Sequence, residues 1–197
     1  MYEIPILYHE EGILVVNKPY GLPTQPTRDN QKNLYNTLQD QYPYVGLHHR
    51  LDTPVSGLLL LCTEKKWNKA ISQSFQKQRI KRQYWAACFG TPPPKGSWIE
   101  DIQGKEAKTN FEILQHCRGY SILNITLETG RTHQIRKHAA NAHHPILGDR
   151  RYGGSASKLC TRLALHAHRI SFLHPATKKN CTIQAPLPKE LLRLIPK

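Results

Sequence analysis

Acidic residues are scarce in this chain. Against 28 Lys and Arg, its 197 residues hold only 14 Asp and Glu, for a formal charge of +14 with histidines neutral. Long apolar runs are missing as well. None, the leucine run of residues 58–62 included, is long enough to cross a bilayer. Residues 1–11 lack the basic start and apolar stretch of a secretory signal, so a cytoplasmic protein is expected. The five cysteines are odd in number and widely spaced, with no short pairing of the zinc-knuckle kind. Several sit in apolar runs, where a free thiol behaves as a small hydrophobe in a reducing compartment. The 11 histidines form no His-Glu-x-x-His set, and neither a Gly-x-Ser-x-Gly turn nor a glycine-rich phosphate loop occurs. No metal and no cofactor are implied. Without repeats, low-complexity tracts or long linkers, residues 1–197 read as a single domain.

What is present is positive charge, unevenly placed. Residues 1–47 carry three basic and five acidic groups, leaving +16 for residues 48–197. Such density attracts polyanions, and nucleic acid is the commonest polyanion a basic protein meets. A merely solvated basic surface is the plainer alternative.

Patterning predicts the elements. Residues 6–8 and 13–16 form strands about a Glu-Glu-Gly turn. Residues 17–23, with two prolines and a glycine, form a defined loop. Leu34, Leu38 and Tyr42 recur at helical spacing. Residues 58–62, entered through Gly57, suit a fully buried strand. Trp67, Ala70, Ile71, Ser74 and Phe75 make the apolar stripe of a helix, its N-cap expected at Thr63. Here the aromatic rings belong to the core. Residues 80–89 alternate as a strand, with Tyr84 sharing a face with Ile80, Arg82, Ala86 and Cys88. Further strands are predicted at 108–114, 121–127, 163–172 and 181–184. Helices are predicted at 132–142, started by Thr129 or Thr132, and at 189–194. Strands outnumber helices without alternating with them, so the class is α+β with a mixed, mostly antiparallel sheet.

Two clusters can carry chemistry. His49-Arg50-Leu51-Asp52 through Ser56-Gly57 places an acid at a loop edge just ahead of the buried strand. An ionised Asp52 there is a candidate nucleophile or base. The same residues also suit an Asp–Arg pair that only braces a turn. In the second cluster, residues 129–138, helical spacing groups Thr132, Ile135, Arg136 and Ala139 on one face. A guanidinium among apolar neighbours demands a carboxylate, and Asp52 is the attractive partner for Arg136. Such a pair would keep Asp52 charged and fix its direction. Arg131, Lys137 and His138 are expected to face phosphate or solvent. Tyr84 would offer a flat ring and a hydroxyl near the pair, although a tyrosine on a strand is more often core.

Five ordered segments resemble one family. They are Asn17-Lys18-Pro19-Tyr20-Gly21-Leu22; His49-Arg50-Leu51-Asp52 through Leu58; Lys81-Arg82-Gln83-Tyr84; Thr129-Gly130-Arg131-Thr132-His133-Gln134-Ile135-Arg136 continuing to Gly148-Asp149; and residues 163–166 with His174-Pro175. Together they span nearly the whole chain and resemble the RNA pseudouridine synthases of the RluA type. The resemblance implies an isomerase turning uridine into pseudouridine in transfer RNA or large-subunit ribosomal RNA, without a cofactor. It implies a mixed, mostly antiparallel sheet flanked by helices and loops. Asp52 becomes the nucleophile paired with Arg136, Tyr84 the ring that stacks on the base, and Arg50 the side chain that enters the RNA. Ile135 and Leu165 would line the pocket. Val55 stands where the family usually has threonine, so altered packing is expected there. The chain also begins almost at the catalytic domain, without the small accessory RNA-binding domain of many relatives. Target choice then falls to residues 23–33, 91–106 and 150–162. A small stem-loop of transfer RNA is the preferred target, the enzyme acting as a monomer with no membrane partner. Two rivals remain: a non-catalytic RNA-binding or assembly module in the same shell, and a nucleobase glycosylase.

Overall fold

The computed structural model describes residues 3–29 and 31–196. They fall into two compact units, one of residues up to Lys81 with Arg169–Ala185, the other of Arg82–His168 with the residues from Pro186 onward. The first unit opens with a hairpin of β1 (Ile6–Glu10) and β2 (Ile13–Lys18). Its two turn residues, Glu11 and Gly12, have φ of 46° and 75°, the left-handed pair that a tight right-twisted hairpin needs. The side chain of Asn33 caps α1 (Leu34–Gln39) by accepting the Asn36 N–H at 2.9 Å, and Leu34 and Leu38 are buried as their spacing predicts. Tyr42 lies beyond the helix end.

The short β3 (Gly46–Leu47) precedes β4 (Ser56–Cys62), in which every residue is buried. Antiparallel to β4 run β2 along its length and β3 opposite Leu61 and Cys62. The glycine-led apolar run is therefore the central strand of its unit. A 3-10 turn at Lys65–Trp67 leads into α2 (Asn68–Gln76). Thr63 does not cap this helix. The cap position falls on Trp67 without a side-chain bond, and the Thr63 N–H instead donates to the Gly12 carbonyl at 2.8 Å. Ile71 joins Ile13, Val15, Leu58 and Leu60 in the core, while Trp67 and Phe75 pack half-buried against it.

In the second unit, β5 (Lys81–Phe89) is buried on both faces from Tyr84 to Cys88, so its alternation does not mark an exposed face. Next comes β6 (Lys95–Ile99), a strand missed in the sequence because only Trp98 of its five residues is even half-buried. It is held by ring stacking of Trp98 on Phe111, 4.3 Å between centroids. The hairpin of β7 (Lys108–Cys117) and β8 (Tyr120–Leu127) runs longer than predicted and turns at Gly119, φ 86°. The order β5-β8-β7-β6 is antiparallel throughout. The chain then forms α3 (Gln134–Asn141), followed by β9 (Leu165–Leu173), which begins in the second unit and ends in the first. There it pairs antiparallel with β10 (Asn180–Gln184). The final α4 (Lys189–Leu192) is one turn. The fold is α+β with a mostly antiparallel sheet.

One loop contact is demanding. Leu147 donates to the Ala87 carbonyl at 2.9 Å, and Ala164 donates back to Leu147 at 2.9 Å, pressing two loop strands against the middle of β5. Gly148 follows with φ 73°, and a Cβ there would lie 1.9 Å from the Arg162 carbonyl oxygen. Gly148→Ala is therefore expected to destabilise the chain by more than about 1 kcal/mol, from the backbone conformation and the overlap together. Urea denaturation of the variant beside the parent checks this.

Candidate active site

Asp52 lies half-buried in a loop of the first unit that is fastened from several sides. Lys18, at the end of β2, is fully buried and donates from Nζ to the carbonyls of Pro19 at 2.9 Å, Leu22 at 2.7 Å and Thr53 at 3.2 Å. An ammonium out of water is tolerable only with such acceptors. Thr24 Oγ1 donates to the Leu51 carbonyl at 2.6 Å and accepts the Leu51 N–H at 3.2 Å. The ring of His49 accepts the Leu60 N–H at 2.9 Å, filling a β4 ladder position after β3 has ended. Val55 is buried, and its N–H closes the turn on the Asp52 carbonyl at 2.9 Å. A backbone N–H makes that bond, so this contact needs no hydroxyl at position 55. Arg50 is exposed beside this fixed turn.

The second unit holds Arg136, with 5% of its surface exposed. Its Nε and Nη2 donate to the two carboxylate oxygens of Asp149, each at 2.8 Å. This parallel pair is the strong geometry for a guanidinium. Asp149 also accepts the N–H groups of Arg151 at 2.9 Å and Tyr152 at 3.1 Å. Burial pushes the Asp149 carboxyl up, but hydrogen bonds from Arg136 and from the two backbone donors prevail and hold it below its usual range. The Tyr152 ring lies 5.1 Å from the guanidinium carbon. Asp149 was legible as part of the Gly148-Asp149 motif, yet its role as a partner of Arg136 was not.

The start of α3 also departs from expectation. Thr132 is exposed and lies outside the helix, and neither it nor Thr129 is the cap. His133 takes φ 58°, an uncommon conformation for a residue with a side chain. After this bend the buried Gln134 side chain reaches back to accept the Thr129 hydroxyl at 2.7 Å and the Arg131 N–H at 3.0 Å. Its amide donates to the Lys108 carbonyl at 3.0 Å and Thr109 Oγ1 at 2.9 Å. Gln134 thus clamps the loop ahead of α3 onto β7, a role that helical spacing does not reveal. His138, expected to face phosphate or solvent, is 1% exposed. Its ring bonds Thr109 Oγ1 at 3.0 Å and the Glu100 carbonyl at 3.3 Å, and burial lowers its pKa.

The remaining predicted residues lie in the same unit as Arg136. Ile135 is its neighbour on α3, Tyr84 faces Ile125 of β8, and Leu165 starts β9. All three are buried.

The sequence profile of the family described as RNA pseudouridylate synthase matches residues 12–141. The chain belongs to that family. It is 35% identical to an uncharacterized RNA pseudouridine synthase of Zymomonas mobilis, over 93% of this chain and 94% of that protein. It is 32% identical to ribosomal large subunit pseudouridine synthase D of Neisseria meningitidis, over 98% of this chain but only 60% of that enzyme. Among solved structures, human RNA pseudouridylate synthase domain containing 1 superposes with a TM-score of 0.78 at 25% identity, over 94% of this chain and 84% of that one. The protein is thus an RNA pseudouridine synthase of the RluA family, an isomerase.

In this synthase, breaking the Arg136–Asp149 pair takes a bidentate carboxylate away from a buried guanidinium. Asp149→Asn is expected to cost about 3–5 kcal/mol near neutral pH, measured by denaturant unfolding. The folded-state pKa of Asp149 is lowered, so its contribution is full above the unfolded value, roughly 3.9. It fades as pH falls through the lower folded value. The acid side of the stability profile should therefore flatten in Asp149→Asn.

Proposed function

We propose that Asp52 is the nucleophile of this isomerase and that its substrate is a uridine in large-subunit ribosomal RNA or transfer RNA. The observation that carries the reading is the placement of Asp52. It sits between Leu51 and Thr53, whose carbonyls accept from Thr24 and Lys18, and three residues after His49, whose ring accepts the Leu60 N–H. A reactive group carried on a backbone fastened on both sides suits a reaction that depends on alignment. The name of the Neisseria meningitidis relative favours the ribosomal RNA over the transfer RNA target.

Asp52 begins the cleavage of the glycosidic carbon–nitrogen bond. The uracil turns in place, and a ring carbon joins the same ribose. That carbon gives up its proton and the freed nitrogen takes one, so the product has the mass of the substrate. Nothing is oxidised and no group departs, so the balance calls for no cofactor. Arg136, held by Asp149, supplies positive charge toward the aspartate. The base must first leave its stack, at a cost of a few kcal/mol in a helix. Arg50, exposed beside Asp52, enters the RNA, and stacking on the Tyr84 ring returns roughly 1–3 kcal/mol. Ile135 and Leu165 give the base apolar walls. The +16 carried by residues 48–197 supplies phosphate affinity. We further propose that both units act as one catalytic domain, as a monomer in the cytoplasm.

Asp52→Asn should abolish pseudouridine formation, a loss of at least about a thousandfold, while RNA affinity stays within a few-fold of the parent. Single-turnover assays on unmodified ribosomal and transfer RNA read the first quantity and filter binding the second. Full turnover by Asp52→Asn would remove the proposed nucleophile. A pseudouridine map of RNA from a strain lacking the gene names the target, and an unchanged map would favour the non-catalytic module.

A further inference from the structure

The first unit holds a concave site, of about 710 Å³, to which the nucleophile reading assigns nothing. Among the residues lining it are Tyr35 of α1, Tyr44 and His48 on either side of β3, and Asn68, Lys69 and Ser72 of α2. Volumes of several hundred Å³ suit small ligands. The residues that line it include no acid.

Its polar groups are already positioned. Cys62 donates from Sγ to Asn68 Oδ1 at 3.3 Å, and the Asn68 amide donates to the Tyr44 hydroxyl. His48 Nε2 lies 3.3 Å from Cys62 Sγ, and its Nδ1 lies 3.0 Å from Ser72 Oγ. With the thiol proton on Asn68, the network assigns the imidazole proton to Nε2 and makes Ser72 the donor to Nδ1. The Tyr44 hydroxyl then keeps its own hydrogen to give, and the Asn68 amide keeps a second one. A Cβ on Gly46 would lie 2.5 Å from both Asn68 Oδ1 and Cys62 Sγ, so glycine is what lets this network close against β3. Tyr35 and Tyr44 add half-buried rings, and Lys69 adds an exposed cation.

Aromatic faces, fixed donors and one cation together match a nucleotide. Rings stack on a base, amide and hydroxyl donors meet its acceptor edge, and an ammonium meets phosphate. The backbone also ties this site to the nucleophile. Asp52 lies four positions after His48, a reach of at most about 14 Å. We propose that this cavity receives an unpaired nucleotide of the RNA substrate, close in the strand to the target uridine, and so contributes to target choice. This rests on the RNA substrate proposed above.

The test uses the full chain and a fluorescein-labelled, unstructured RNA octamer, followed by anisotropy. Tyr35→Ala and Lys69→Ala should each weaken binding, Tyr35→Ala about tenfold, while Tyr35→Phe, which keeps the ring, stays within twofold. Lys69 is exposed and Tyr35 half-buried, so thermal unfolding of each variant is followed beside binding, and Tyr35→Phe separates loss of the ring from loss of the hydroxyl. The same octamer carrying 4-thiouridine should cross-link, on irradiation, to peptides containing Tyr35, Tyr44 or Lys69. Three results would overturn the proposal: parental binding by Tyr35→Ala, a loss confined to Lys69→Ala, or displacement of the octamer by equimolar uridine monophosphate. Asp52→Asn runs in parallel. If it binds and cross-links like the parent yet still turns over, the nucleophile reading fails and the cavity reading stands.

Discussion

A guanidinium sealed from water persists only where its charge and its donors are answered, and the second unit is arranged around that demand at Arg136. Asp149 answers it with both oxygens. Asp149 is directed in turn by two backbone N–H groups, and the chain around it is tight. Gly148 can have no side chain against the Arg162 carbonyl, and a Cβ on Gly153 would lie 2.3 Å from the Asp149 carbonyl oxygen. The glycines set the carboxylate, the carboxylate sets the guanidinium, and the guanidinium helps to set α3. A buried pair of this kind contributes less to net stability than its short distances suggest, because desolvation offsets much of the attraction. What it provides is direction.

The first unit solves a similar problem with different groups. Lys18 is an ammonium without water, answered by main-chain carbonyls, and one of them belongs to the residue after Asp52. Burying a cation thereby fastens the turn that carries the acid. His49 does the same from the other side by standing in for a missing ladder partner of Leu60. An isomerisation gains from such pre-set groups, because reorganisation during reaction is then small.

Local pattern was a good guide where one element decides its own form. The Glu-Glu-Gly turn, the Leu34 and Leu38 spacing of α1 and the apolar run of β4 all formed as their spacing requires. The family resemblance, carried by five short motifs, agrees with the matched family. Capping and pairing were less legible. Thr63 is a suitable cap in sequence, yet its N–H is drawn to Gly12 on the hairpin. His138 looked like a solvent-facing base, but α3 turns it toward Thr109. β6 has almost no alternation, and its neighbour β7 supplies the order that its own residues lack.

By itself the sequence determined the class, the charge and the family, and through the family's motifs it made Asp52, Arg50, Tyr84 and Arg136 candidates, because motifs are local properties of the chain. Only the tertiary structure decided which partners those groups keep. Asp149 follows Arg136 by 13 positions, and Thr53 follows Lys18 by 35. A hydrogen bond is chosen by distance in space, and burial makes that choice compulsory. Spacing along the chain carries no record of either.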